Sequence, residues 1–333
     1  MRLKTWLLTC AVATTLPMSA AVAQTPSPPN GGLVRGAAAA YADYQGEVSD
    51  IRAKPLAGAA QLDKALDTFG AQNPDQLSSG WISYSAMVAA QNKEFGAAVR
   101  DIDAYYGRDR VLNGMRNDVG YARSLKGGEA ALQSALVVNS QDSSRISSAA
   151  AFVKDQAYKL QDIAWGKSRI KDAGGAANHL KISAKTVKPI TDTAQKFFAG
   201  PDLNAMLVSA NAGSQGSIWD KVSFITASAP AAAIASIAPA TTPAATMRVD
   251  PKREGTANRI VTLAALHVLD AEKGNSDDVK AAMKDKPTYD CIDWSQLQLQ
   301  ACVSAAYTRA DLSFCLAEHA IGETGGCFAN VAR

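Results

Sequence analysis

Four of the chain's five cysteines lie close together, at Cys291, Cys302, Cys315 and Cys327. Sulfurs grouped in this way hold a metal, exchange electrons, or staple a fold. Structural zinc sites bring their ligands in short pairs about two to four residues apart. Here ten, twelve and eleven residues intervene, so no metal site is expected. A redox centre uses a Cys-x-x-Cys pair, and none occurs. In an exported chain the even count favours disulfides.

The spacing also suggests how the sulfurs pair. Arg309 and Ala310 read as a turn ahead of Asp311, an N-cap for a helix from Leu312, which predicts an antiparallel hairpin of 294–307 against 312–321. Residues equidistant from such a turn face each other. Cys302 and Cys315 have their midpoint at 308.5, and Cys291 and Cys327 at 309, so the nested bonds Cys302–Cys315 and Cys291–Cys327 are favoured among the three connectivities. In topology the arrangement resembles the coiled-coil-helix-coiled-coil-helix proteins of mitochondria, in which two disulfides clamp a helical hairpin. The family's nine-residue cysteine spacing is not met, the likeness covers about forty residues, and it implies no function here.

Other chemistry is sparse. The three histidines, His179, His267 and His319, form no H-E-x-x-H motif. His267, amid Leu263, Ala264, Leu266 and Leu269, reads as a core histidine, and His319 as a surface residue near a helix end. Ser168-Arg169-Ile170-Lys171 matches the S-x-x-K of serine enzymes, which on a helix sets hydroxyl and amine one turn apart, but no S-D-N or K-T-G accompanies it. The stretch AYYGRDR gathers Tyr105, Tyr106, Arg108 and Arg110 around Gly107. Aromatic faces and guanidinium forks suit a sugar or a carboxylate, although a helix junction with a local Arg–Asp pair needs the same residues. Glu47, Glu94, Glu129, Glu254, Glu272, Glu318 and Glu323 are available as the acid of a peptidoglycan-cleaving enzyme, and no motif selects one. There is no P-loop and no strand-linked glycine fingerprint, so no cofactor is expected.

The elements that must position these residues read as helices. Arg2 and Lys4, the apolar WLLTCAVATTL and Ala21-Val22-Ala23 have the order of a secretory signal over 1–23, which places the protein in the periplasm or outside the cell. A Pro/Gly tether follows over 24–36, with ordered structure from about Ala37. The remainder carries 32 basic and 31 acidic residues, a balance that argues against nucleic acid or an anionic membrane surface as partner. Ala, Leu, Gln, Lys and Glu dominate over β-branched alternation.

Asn73-Pro74 starts a helix, Gly107 stops another, KDAGGAANH reads as a loop, and a helix resumes from about Lys188. Helices are also expected over 258–271 and from Asn275 or Ser276 until Pro287 ends the second of them. Ile146, Ala150, Val153, Ala157, Leu160 and Ala164 form a narrow seam whose alanines admit a close partner helix within the bundle. The tryptophans Trp81, Trp165, Trp219 and Trp294 read as packing anchors. Residues 222–247 carry no charge, and Pro230, Pro239 and Pro243 argue against a spanning helix there.

The expected fold is therefore all-α: an antiparallel helical bundle or array over 37–220, an Ala/Pro-rich connection over 221–250, and a C-terminal helical region over 251–333 closed by two disulfides. The expected function is a non-enzymatic interaction or scaffold protein of the cell envelope with an envelope protein as partner. The alternatives are a periplasmic hydrolase of peptidoglycan or peptides and a small-ligand binder.

Overall fold

The structure, a computed structural model, describes residues 32–201, 203–211, 216–220 and 246–332. The expected signal sequence, most of the expected tether and most of the expected connection lie outside the described residues. What is described is helical, with no strand and only the isolated bridges Arg169 to Thr308 and Val249 to Ala332. In chain order the helices are α1 (Gly32–Ala53), α2 (Ala59–Gly70), α3 (Pro74–Ala89), α4 (Lys93–Tyr106), α5 (Arg108–Asn117), α6 (Tyr121–Ser124), α7 (Gly128–Leu160) and α8 (Ala173–Ser183). They continue as α9 (Asp192–Ala199), α10 (Leu203–Asn211), α11 (Glu254–Val268), α12 (Ser276–Met283), α13 (Lys286–Ala305) and α14. The last is one run, Arg309–Cys315 and Thr324–Ala329 joined by a π-helical stretch over Leu316–Glu323. No helix among the described residues is long and apolar enough to cross a membrane.

Capping explains where the clearest helices begin. The Asn73 side chain accepts from the Gln76 N–H, with Pro74 in the first turn, and Gly107 closes α4 at φ 84°. Four boundaries differ from the sequence expectation, each because a side chain overrides the local signal. Helix α1 begins at Gly32 rather than near Ala37, since Val34 is buried and Glu272 accepts from the Leu33 N–H. Helix α9 begins at Asp192, because the Thr191 hydroxyl caps it by accepting from the Ala194 N–H. Pro287 opens α13 instead of closing α12, since the buried Asp285 accepts from the Thr288 N–H and makes the proline a first-turn residue. Helix α14 starts at Arg309 with Thr308 as cap, and Asp311 is the third-position partner of a capping box.

The two regions either side of the uncharged connection share one core. Phe328, near the C-terminus, stacks on Trp81 of α3 at 5.5 Å between ring centres and meets Tyr41 of α1 edge-on at 5.4 Å. Tyr84 and Trp219 continue the aromatic cluster at 5.2 Å. Trp81 and Trp219 are thus the anchors expected of them, and Trp165 is half-buried. Trp294 is not an anchor: it stands 61% exposed on α13. Trp81→Ala is expected to lower stability by about 3–5 kcal/mol and Trp294→Ala by about 0.5 kcal/mol or less, a contrast that chemical denaturation reads directly.

The seam on α7 finds its partner inside the molecule. Ile146, Val153, Ala157 and Leu160 are buried, and the π-helical stretch and last turn of α14 lie along them. A side chain on Gly325 would start 2.7 Å from Ile146, so glycine is what allows this approach. Ala164, the last expected seam position, falls beyond the end of α7 and is exposed. Both disulfides are formed as the turn symmetry predicts, Cys291–Cys327 and Cys302–Cys315, each with 5.6 Å between Cα atoms. They tie α13 to α14, and α14 lies on α7.

Candidate functional site

A concavity lies where this stapled hairpin turns. It has a volume of ≈ 580 Å³ and is walled by α2, the segment 168–171, α8, α13 and the start of α14. The chain after α7 does not continue as a helix. It runs beside the hairpin turn, with the Ile170 N–H donating to the Tyr307 carbonyl (3.0 Å), Arg309 N–H to Ser168 (3.2 Å) and Ala310 N–H to Gly166 (3.0 Å). Gly166 is required for the preceding loop, because a Cβ there would lie 2.0 Å from the Leu160 carbonyl oxygen. Gly166→Ala is therefore expected to cost about 2–3 kcal/mol and to loosen this wall, visible as a lowered Tm.

Helix α8 supplies the opposite wall. The stretch expected to be a loop is helical because the Asp172 carboxylate accepts from the Gly175 N–H at 2.7 Å, capping the first turn and offsetting the poor helix propensity of the two glycines. From α8 come Ala176, His179 and the buried Leu180. With Leu66, Val303 and Leu312 buried as well, the floor is apolar and the rim charged.

The charges on that rim are unequally matched. Arg309 donates to Asp63 at 2.7 Å, and His179 Nε2 lies 3.3 Å from Asp67. Arg169 instead sits over the Tyr307 ring, 4.7 Å from its centre, and neither it nor Lys171 has an acidic partner among the described residues. The Ser168–Lys171 match to S-x-x-K thus lies in extended chain rather than on a helix, and the Ser168 hydroxyl donates to the Trp165 carbonyl. Its residues line a cleft, but without the helical spacing a serine nucleophile and lysine base would need.

A second cleft, ≈ 260 Å³, separates α1 from the segment before α9. Its polar groups answer one another. The Thr191 N–H and hydroxyl donate to Asp43 at 2.8 and 2.5 Å, Lys188 Nζ reaches Glu47 at 3.2 Å and the Thr68 carbonyl at 2.6 Å, and Gln72 donates to Glu47 at 2.5 Å. Burial pushes the Glu47 carboxyl up to about 7 against the opposing pull of Lys188. The folded protein therefore holds this proton where the unfolded chain has lost it, so stability from this group is full below about pH 4.5 and is lost as pH rises through 7. The decline is at most about 3 kcal/mol, and Glu47→Gln is expected to flatten it in melts run between pH 5 and 8.

The remaining sequence candidates are dispersed. Tyr105 and Tyr106 stack edge-to-face at 4.7 Å on the surface, and Arg110 is exposed as well. Arg108 turns away: it donates to Asp103 at 2.7 and 2.8 Å and to the Leu269 carbonyl at 2.9 Å, tying the α4–α5 corner to the end of α11. Neither cleft described above includes any of the four. His267 faces Glu272 at 3.7 Å and His319 faces Glu323 at 3.1 Å, both partly buried. His319 sits in the π-helical stretch rather than at a helix end. Among the described residues no group of three or more His, Cys, Asp or Glu is placed to hold a metal. Sequence reasoning missed α8 and with it His179 and Leu180 as cleft residues; the signal was Asp172 three residues before Gly175.

No protein-family model, no curated protein and no solved structure matches the chain.

Proposed function

We propose that this protein is exported to the cell envelope, periplasmic or secreted, and works there by binding rather than by catalysis, as an interaction or scaffold protein that carries a small-ligand cleft. The observation that supports this best is that two disulfides hold the hairpin whose turn, with 168–171 and α8, walls the larger cleft. Paired cysteines of this kind persist in oxidising compartments. The cleft, moreover, has the volume range of a binding site, with an apolar floor beneath a charged rim. An envelope protein partner, and the exposed Tyr105, Tyr106 and Arg110 as part of its contact surface, belong to the same proposal.

The test is the intact mass of the protein released from cells without reduction. A chain starting at Gln24 and four hydrogens light supports the reading. Alkylatable thiols on a chain that keeps residues 1–23 would defeat it. Glu47, with a proton available near neutral pH, favours one alternative, an envelope hydrolase. Clearing of a cell-wall zymogram by the wild type and not by Glu47→Gln would establish that alternative in place of the binding role.

A further inference from the structure

We propose that the cleft between α2, α8 and the hairpin turn binds a single-chain anionic amphiphile, a carboxylate or phosphate on an apolar tail; this rests on the binding role and names the class of ligand. The floor is lined by Leu66, Leu180, Val303 and Leu312, apolar residues of the core that border the cleft and offer an entering ligand no polar group. The volume of ≈ 580 Å³ accommodates a chain of about eight carbons without displacing core residues.

The sign of the head group follows from which rim charges are already answered. Asp63 is held by Arg309 at 2.7 Å, and Asp67 faces His179 at 3.3 Å. Arg169 and Lys171 are exposed, adjacent across one residue of extended chain, and without an acidic partner among the described residues. Arg169 is steadied by the Tyr307 ring, which leaves its guanidinium donors available. An anionic oxygen at this rim gains two cations, whereas an ammonium group meets Asp63, already paired with Arg309, and Asp67, which His179 offsets only when protonated. The backbone pairing of 166–170 with 307–310 holds the two cations at the mouth.

Titration calorimetry on the disulfide-bonded full chain tests this with octanoate, octyl phosphate, octanol and octylammonium, each below its micelle concentration. Octanoate and octyl phosphate are expected to bind saturably, octanol at least tenfold more weakly and octylammonium not at all. Hexanoate is expected to bind about fifteenfold more weakly than octanoate, from roughly fourfold per methylene. Arg169→Ala/Lys171→Ala, two exposed positions whose loss leaves the core intact, should weaken octanoate tenfold or more and leave octanol unchanged. Ala176→Trp, which fills the cleft, should abolish both.

The proposal is overturned if octanol binds as well as octanoate, if octylammonium binds better, or if the double variant binds octanoate normally. Binding to phosphatidylglycerol vesicles without binding of monomeric octanoate would also overturn it, and would assign the two cations to a membrane surface. Failure of octanoate to bind overturns the proposal as well, and leaves the envelope location, which intact mass reads separately, unaffected.

Discussion

Asp142→Ala will destabilise the protein by about 3–5 kcal/mol, measured by urea unfolding followed through the buried tryptophans. Asp142 lies on α7 with no exposed surface, and its carboxylate accepts from Ser217 at 2.6 Å, Trp219 Nε1 at 2.9 Å and Tyr41 at 3.3 Å. Around it Gln45 donates to Tyr41, and Arg145 reaches Gln45 at 2.6 Å and Asp220 at 2.8 Å. Alanine removes the acceptor common to three buried donors and one of the acids beside a buried guanidinium. A loss under about 1 kcal/mol would show that the network relaxes and that the aromatic packing alone holds this region.

Burial pushes the Asp142 carboxyl up to about 6, the donors and Arg145 opposing it. Its contribution is thus full below about pH 4 and falls as pH rises through 6, in the same sense as that of Glu47. Asp142→Asn, which keeps one acceptor, should cost less at neutral pH than alanine and remove this part of the slope.

The second large effect concerns the staples. Replacing Cys291 and Cys327 by serine is expected to cost roughly 4 kcal/mol, and replacing Cys302 and Cys315 roughly 3 kcal/mol, from the closure entropy of loops with separations of 36 and 13 residues. The two losses differ in consequence as well as size. The inner bond brackets Val303, Arg309 and Leu312 of the cleft, so its removal should weaken ligand binding more than its share of stability indicates. The outer bond holds the end of α14, where Phe328 enters the aromatic core, so its removal should expose Trp81 to quenching by iodide. Equal binding in both variants would mean that the capping box at Thr308 and the pairing with 166–170 hold the turn without sulfur.

Much of the fold was legible because it is governed by short-range rules. The caps at Asn73 and Gly107, the seam on α7 and the symmetry of four cysteines about one turn are all statements about residues near in sequence. The misread elements fail for one reason. At α8 and α13 a polar side chain two or three residues away caps a segment whose glycines or proline signal an ending, and at α9 the Thr191 cap sets the start later than the first turn that Pro189 suggests; local composition does not weigh the cap against these signals.

The sites were less legible still. Arg108 read as a ligand-binding residue because nothing in AYYGRDR reveals that the Leu269 carbonyl, far along the chain, will be its partner. Ser168–Lys171 was noticed for a catalytic spacing it does not adopt, yet Arg169 and Lys171 stand at the mouth of the larger cleft.

The sequence by itself determined the helical class and the pairing of the sulfurs, since helix periodicity, caps and distance from a turn are set by neighbours in the chain. Only the tertiary structure decided that the C-terminal hairpin completes the core of the first helices and which cations have no acidic partner among the described residues. Those outcomes depend on contacts between residues more than a hundred positions apart, such as Arg309 with Asp63 and Phe328 with Trp81. Neither burial nor charge pairing exists until those residues meet.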